Sequence, residues 1–412
     1  MKAQIQATTH FATLDLPIEN QHPAQVIIVG AGPAGLTVAA LLAEAGVYAT
    51  VLEAESELPT NLRASTFHPP TLQMLERFGV TDKLVSEGLI APTFQFRDRF
   101  VGKLAEFDFG ELKDVCSRPY RLQCEQYKLN FALKDYISGK DSVDLRFGTK
   151  VRTVEQTPGG VSATLSSGEK IFGEYLLGAD GARSAVRQSL NIPFEGFTWP
   201  EAFLVVSTPF PFEKHMDDLC WVNYFADPEE WFFLLRAPDF WRVMFPVNAN
   251  ANEREIFDPS AVQRRLQRVF QTESDYEVAH TTLYRVHQRV AKKYKKGRVF
   301  LAGDAAHINN PLGGMGMNGG IHDAFNLGEK LAAVMTGTAK TTVLNDYEAE
   351  RRPVALEYVN KITIKNKKNL ETNDPLEQRA FRKMLEETTE DPAKRHLYLL
   401  RASMLASVGI QG

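Results

Sequence analysis

Cysteine is scarce in this chain: Cys116, Cys124 and Cys220 are the only three among 412 residues. Three scattered thiols build neither a disulfide framework nor a four-ligand zinc site, and no CxxC pair exists for dithiol exchange. That excludes a disulfide reductase. Long apolar runs are also missing. No window approaches the roughly 20 apolar residues that a membrane-crossing helix needs. Residues 1–23 mix polar and apolar side chains without the continuous apolar core of a signal peptide. Excess charge of either sign is lacking too, since 47 basic and 51 acidic residues leave a formal net charge of −4. Nothing there favours a nucleic-acid surface or an acidic tail. The basic runs at Lys292, Lys293, Lys295 and Lys296, and at Lys365, Lys367 and Lys368, read as a solvated turn and a helix face. The expectation is a soluble, cytoplasmic protein with no metal site and with neither nucleic acid nor membrane as partner.

What is present is a chain 44% hydrophobic and 10% aromatic, enough for a large core. Val26-Ile27-Ile28-Val29 reads as a buried parallel strand. Gly30-Ala31-Gly32-Pro33-Ala34-Gly35 follows it, then an Ala/Leu-rich helix over Leu36 to Ala45 stopped at Gly46, then a strand over Tyr48 to Leu52 with Glu53 at its end. Further helices are expected over Pro70 to Phe78, Cys124 to Tyr136 and Gly319 to Met335, and strands between Asp144 and Ala179. From Ala202 to Val247 the chain is aromatic and strand-like, and after Thr341 it reads as helices with charged faces. No internal repeat or low-complexity tract is visible.

The first motif, Gly30-x-Gly32-x-x-Gly35 between strand and helix, is the place where a pyrophosphate meets a helix N-terminus. Gly30 allows the turn, Gly32 lets the phosphates approach, and Gly35 lets helix and strand pack. Glu53 offers only acceptors, which suits the two donating hydroxyls of a ribose. The pattern alone is weak, because Gly314-x-Gly316-x-x-Gly319 also matches it with no strand running directly in. In its βαβ setting the first copy points to a dinucleotide, without choosing between NAD and FAD.

Two distant segments choose. Leu177-Gly178-Ala179-Asp180-Gly181-Ala182-Arg183-Ser184-Ala185-Val186-Arg187 resembles the "DG" fingerprint of the flavoprotein aromatic hydroxylases, and Gly297 to His307, ending Gly303-Asp304-Ala305-Ala306-His307, resembles their "GD" fingerprint. Pro311-Leu312-Gly313-Gly314-Met315-Gly316-Met317-Asn318 is similar to that family's flavin-cradling loop. The resemblance, to the class A family of para-hydroxybenzoate and phenol hydroxylases, spans roughly residues 24 to 360. It implies an α/β fold, with a Rossmann-like FAD-binding domain interleaved with a mixed-sheet substrate domain, plus C-terminal helices. The implied division is FAD-binding over 24–95, 120–200 and 286–340, an excursion to the substrate domain over 96–119, a substrate-binding sheet over 201–285, and a helical region over 341–412.

The resemblance assigns roles position by position. Asp304 matches the aspartate that hydrogen-bonds the ribityl chain, and the amides of Met317 and Asn318 match those facing the pyrimidine edge of the flavin. Asp180 matches a residue touching both flavin and the nicotinamide route, while Arg183 and Arg187 are more often structural. Arg63 resembles an arginine beside the flavin and the diphosphate, and Gln123 a glutamine at the phosphate and ribityl region. Gly30, Gly32, Ala34, Gly35, Glu53, Ala64, Val151, Gly314 and Gly316 complete the expected FAD contacts. His307 is expected to be structural, with no metal-ligand pattern around it. No catalytic side chain is assigned. Trp221, Tyr224, Phe233 and Arg242 are candidates for the substrate pocket, in a cluster with Trp231 and Trp241 for which core packing is the plainer reading. Arg236 and Arg242 could each pair with a substrate carboxylate or a protein acid.

The implied activity is FAD-dependent hydroxylation of an aromatic ring through a flavin C4a-hydroperoxide, using O₂ and either NADH or NADPH. A phenol, a hydroxylated aromatic acid and an N-heterocycle all fit as substrate. A homodimer is compatible with the reading. The alternatives are a reductase or halogenase of the same fold, though no WxWxIP motif is present, or an FAD-binding protein without turnover.

Overall fold

A computed structural model of the chain describes residues 24–62, 64–227 and 229–410. Two eight-stranded sheets divide the work. In the first, β1 (Ala24–Val29) is central. Val26, Ile27 and Ile28 are fully buried, so both faces of β1 are covered and an unbroken apolar run is what its sequence must be. It pairs in parallel with β2 (Ala49–Leu52) on one side and with the strand Lys170–Gly178 on the other. Val143–Arg146 extends the sheet beyond β2, and Val299–Leu301 lies beyond Lys170–Gly178. Helix α1 (Pro33–Glu44) follows β1 and is buried from Ala34 to Ala43, covered by the long helix Met315–Met335 and the helix Gln126–Ser138. A helix enclosed on all sides carries no polar stripe, which is why its sequence reads as Ala and Leu throughout.

The second sheet runs His307–Ile308, His280–Ala291, Phe194–Thr208, Trp241–Asn248, Phe232–Arg236, Val222–Ala226, Thr93–Asp98, Gly102–Asp108. Alternation sorts its side chains. Leu204, Val206, Phe232, Leu234, Trp241, Val243 and Phe245 face one way, under the helix Pro259–Val269. Phe203, Tyr224 and Met244 face the other way, towards the first body and the C-terminal helices Pro375–Glu390 and Pro392–Ala402. The long strands Phe194–Thr208 and His280–Ala291 serve both bodies, bending at an irregular register between Thr198 and Ala202. Divisions drawn at 200/201 and 285/286 therefore fall inside single strands. Among the described residues no helix is long and apolar enough to cross a membrane.

Candidate functional site

The segments singled out by sequence come together in one crevice at the carboxyl end of β1. Gly30 takes φ +103°, and a β-carbon there would lie 2.4 Å from Ala179 O, so the turn admits only glycine and seats itself against the DG segment. Around Gly32 a β-carbon would meet nothing within 4 Å, which leaves the backbone open to an approaching group. Helix α1 starts behind Gly32 with no side-chain cap, so its first N–H groups point outward unsatisfied. Glu53 Oε2 accepts from Ala31 N–H at 2.7 Å, and Oε1 accepts from Glu55 N–H at 3.0 Å. Each oxygen keeps a lone pair for a further donor. Thr149 N–H donates to Glu53 O at 2.7 Å, which brings the start of Val151–Thr157 to the same rim.

Asp180 lies next to Gly30: its Cα is 3.2 Å from where a Gly30 β-carbon would be. Asp180 Oδ2 accepts from Val186 N–H at 3.1 Å, while Oδ1 is buried without a protein partner. Burial pushes this carboxyl up, opposed by the Ser184 hydroxyl and the Val186 amide. Arg187 is a staple. It donates to Ala305 O and Ala182 O at 2.9 and 2.7 Å and lies 3.8 Å over the Phe194 ring, tying the DG segment to the GD turn.

Val299–Leu301 leads into the turn Gly303–Ala305, where Asp304 is exposed and Ala305 buried. A β-carbon on Gly303 would lie 3.3 Å from Ala34 Cβ, so this turn sits against the N-terminus of α1. The helix expected from Gly319 begins four residues earlier, at Met315. Gly314 caps it in the left-handed region at φ +66°, again without a side-chain cap. Its free amides are those of the first helical positions, Met315 to Met317; Asn318 is the fourth, whose N–H ordinarily turns back to the cap. The Asn318 side chain fixes this end. Its Oδ1 accepts from His68 N–H and Thr71 Oγ1 at 2.9 and 2.7 Å, and its Nδ2 donates to Thr66 O and Gly314 O at 2.8 and 2.7 Å. His68 Nε2 donates to Gly313 O at 2.7 Å. No sequence signal marked His68, Thr66 or Thr71.

Gln123 is fully buried, and its Oε1 accepts from Thr66 Oγ1 at 2.8 Å. Thr66 Cβ is 3.0 Å from where a Gly314 β-carbon would be, so Gln123 stands beside the glycine-rich loop. Its Nε2 has no protein partner. Ala64 O accepts from Gln126 N–H at 3.0 Å on the same rim, and Arg63 lies outside the described residues. A dinucleotide cofactor fits this donor set. Two uncapped helix N-termini suit an anionic diphosphate and a ring edge that gains negative charge, and two buried orphan atoms, Gln123 Nε2 and Asp180 Oδ1, offer one donor and one acceptor.

The second sheet meets this crevice at Leu62 and Ser65. Arg242 Nη1 donates to Ser65 Oγ at 3.2 Å, and Tyr284 Oη donates to Leu62 O at 2.8 Å. Arg242 is 8% exposed; burial pulls its guanidinium down, opposed by Tyr284 and Glu125. Tyr224 stacks between Phe96 and half-buried Phe233, at 5.2 and 4.8 Å, on the same face as Arg242. Trp221 lies against the cluster that holds Tyr224 and also packs at 5.9 Å on Trp241, which belongs to the opposite face. Arg236 is also turned that way by alternation, and donates to Ala237 O at 2.7 Å. Trp231 meets Phe203 edge-on at 5.4 Å. His307 Nε2 bonds Asp323 Oδ2 at 2.8 Å, and Asp323 Oδ1 accepts from Arg351 Nε at 2.7 Å, a buried structural chain. Among the described residues no group of His, Cys, Asp and Glu could hold a metal.

The family model described as "FAD binding domain" matches residues 23–361. Para-nitrophenol 4-monooxygenase of Pseudomonas sp. (strain WBC-3) is 33% identical over 387 residues, covering 91% of this chain and 94% of that protein. The 6-hydroxy-3-succinoylpyridine 3-monooxygenase of Pseudomonas putida (strain DSM 28022 / S16) is 35% identical over 372 residues, covering 85% and 90%. The crystal structure of p-nitrophenol 4-monooxygenase from Pseudomonas putida DLL-E4 superposes with a TM-score of 0.86 at 30% identity, covering 92% of this chain and 98% of that one.

Proposed function

Because this chain belongs to the FAD binding domain family, among the class A flavoprotein aromatic hydroxylases, we propose that it hydroxylates a small phenol or hydroxylated N-heterocycle, with NADH or NADPH as reductant. It is an FAD-dependent monooxygenase acting on aromatic rings. The observation that carries the substrate class is a buried guanidinium, Arg242, facing the flavin crevice beside a wall of stacked rings. Para-nitrophenol and a hydroxypyridine, named in the two relatives, are both ionisable hydroxy-aromatics.

When bound, FAD would supply the electron transfer from nicotinamide and the activation of O₂. The chain's own residues do the rest. The open amides behind Gly32 hold the diphosphate, Glu53 takes ribose hydroxyls, and Asp304 and Gln123 take the ribityl region. The amides of Met315 to Met317 stabilise negative charge on the flavin's pyrimidine edge. Arg242 favours the anionic form of the substrate, because an opposite charge at short range lowers the pKa of a phenol. A phenolate ring is the more electron-rich one. Tyr224 and Phe233 give that ring an apolar face and keep water from it.

A group of arginines would attract the nicotinamide nucleotide by charge. Arg285, His287 and Arg289 alternate along the strand His280–Ala291 and so share a face, and the pKa of His287 is lowered by burial and then by these arginines and Arg183. Arg289 donates to Phe194 O and Thr198 Oγ1, both at 3.3 Å, and the positive charge of the three arginines would attract a diphosphate.

The test is oxygen incorporation. Enzyme, NADH or NADPH and a panel of phenols and hydroxypyridines are incubated under ¹⁸O₂. One labelled oxygen in a hydroxylated product supports the reading, and label found only in peroxide with every compound rejects it.

A further inference from the structure

The glycine-rich loop that presents the Met315–Met335 helix is gripped from one side by His68 and Asn318, both within the flavin body. From the other side it is gripped by one residue of the substrate sheet. Gln288, on the strand His280–Ala291, is 1% exposed, and each polar atom of its carboxamide is used twice. Oε1 accepts from Asn310 N–H at 3.1 Å and from Asn310 Nδ2 at 3.3 Å. Nε2 donates to Asn360 Oδ1 at 2.9 Å and to Thr363 Oγ1 at 3.0 Å. Asn310 in turn accepts from Leu312 N–H at 3.1 Å, shaping the turn that ends at Gly314.

We propose that Gln288 and Asn310 form a positioning pair that sets where the open end of the Met315–Met335 helix stands against the flavin, and so tunes the reduced cofactor and the yield of hydroxylated product. The proposal rests on the assignment of this loop to FAD. The geometry favours it over plain cohesion in three ways. The pair joins three segments distant in sequence: the substrate strand, the loop, and the C-terminal helical region. Asn360 ends the π-helical stretch Val354–Asn360, an irregular turn that lets its side chain reach Gln288. Asn310 also lies four residues from Gly314, the cap whose placement aims the free amides. A helix terminus acts on a charge only over its last turn, so a small displacement there changes the field at the ring.

The substitution that removes all four bonds while keeping length and volume is Gln288→Met. In flavin-free protein, hydrogen exchange at Asn310 and Leu312 should quicken at least tenfold, with the amides of α1 unchanged. In the FAD-loaded protein the midpoint potential should fall. A tenfold loss in preference for the reduced flavin corresponds to about 30 mV for a two-electron couple. Peroxide should rise at the expense of product, with KM for the phenol within about threefold of wild type. Unchanged exchange and potential in a folded Gln288→Met protein would overturn the proposal. If that variant does not fold, Asn310→Asp replaces it. It keeps the acceptor for Leu312 and the main-chain bond but loses Nδ2, and the same readouts should move in the same direction; no movement overturns the pair. In wild type, FAD should slow exchange at residues 313–317. If FAD leaves that exchange unaltered, the loop is not the flavin's and the assignment beneath the proposal falls separately.

Discussion

Arg242, on the substrate sheet, donates to Ser65 Oγ at 3.2 Å, so a buried cation of one body is tied to the segment of the other that leads into the glycine-rich loop's supports. Its charge should matter more than its bulk. Arg242→Met should lower kcat/KM for a phenol by about 100-fold, the size of a lost charge-assisted hydrogen bond of roughly 2.7 kcal/mol. The acidic limb of the pH profile should also move upward, because the phenol loses the cation that favours its ionised form. Arg242→Lys should recover part of the loss. Steady-state kinetics across pH checks both, and an unmoved limb would assign Arg242 to packing alone.

Asp304 stands exposed in the turn after Val299–Leu301, against the start of α1. Asp304→Ala should abolish tight FAD binding while the protein still folds. Absorbance of the purified variant after desalting measures it, and a yellow protein with stoichiometric flavin would refute the role given to this carboxylate.

Gly30 carries the backbone most sensitive to a single methyl group. At φ +103°, with Ala179 O 2.4 Å from an added β-carbon, Gly30→Ala should cost about 3 kcal/mol or more through strain and displacement of the DG segment. Chemical denaturation of the flavin-free protein gives the value directly. A loss below about 1 kcal/mol would mean that the turn can relax.

His322 is buried beside Thr71 at 2.8 Å, and its pKa is pulled down to about 3 by burial and then by Arg351. Thr71 spends its proton on Asn318, so His322 Nε2 is the donor in that pair and the ring is neutral. The folded value lies below the unfolded one near 6.5, so stability is lost as pH falls from 6.5 towards 3. At pH 5 the loss from this group is about 2 kcal/mol. His322→Gln keeps a donor for Thr71 and should flatten the acid limb of a stability–pH curve in that window. A curve parallel to wild type would place the acid sensitivity elsewhere.

The flavin side was legible because its chemistry is local. Strand, Gly30 turn, uncapped helix and Glu53 lie within the 30 residues from Ala24 to Glu53, and DG and GD each close a buried strand. The start of the Met315–Met335 helix was not legible. Five glycines between Gly313 and Gly320 argue against helix, and Asn318's four bonds, all made in the folded chain, overrule them. The substrate face was harder still. Tyr284, Ser65 and Gln288 carry no local pattern, and strand pairing alone decides that Arg242 shares a face with Tyr224 while Arg236 turns away.

The most direct measurement is made on the purified protein reconstituted with FAD. Oxidation of NADH and of NADPH is followed in air with each phenol and hydroxypyridine, and product and peroxide are quantified together. The account expects one compound to accelerate oxidation and to yield hydroxylated product in near-stoichiometric ratio to the nucleotide consumed. Stoichiometric bound flavin with no substrate-stimulated oxidation and no hydroxylated product, across the whole panel, would contradict it.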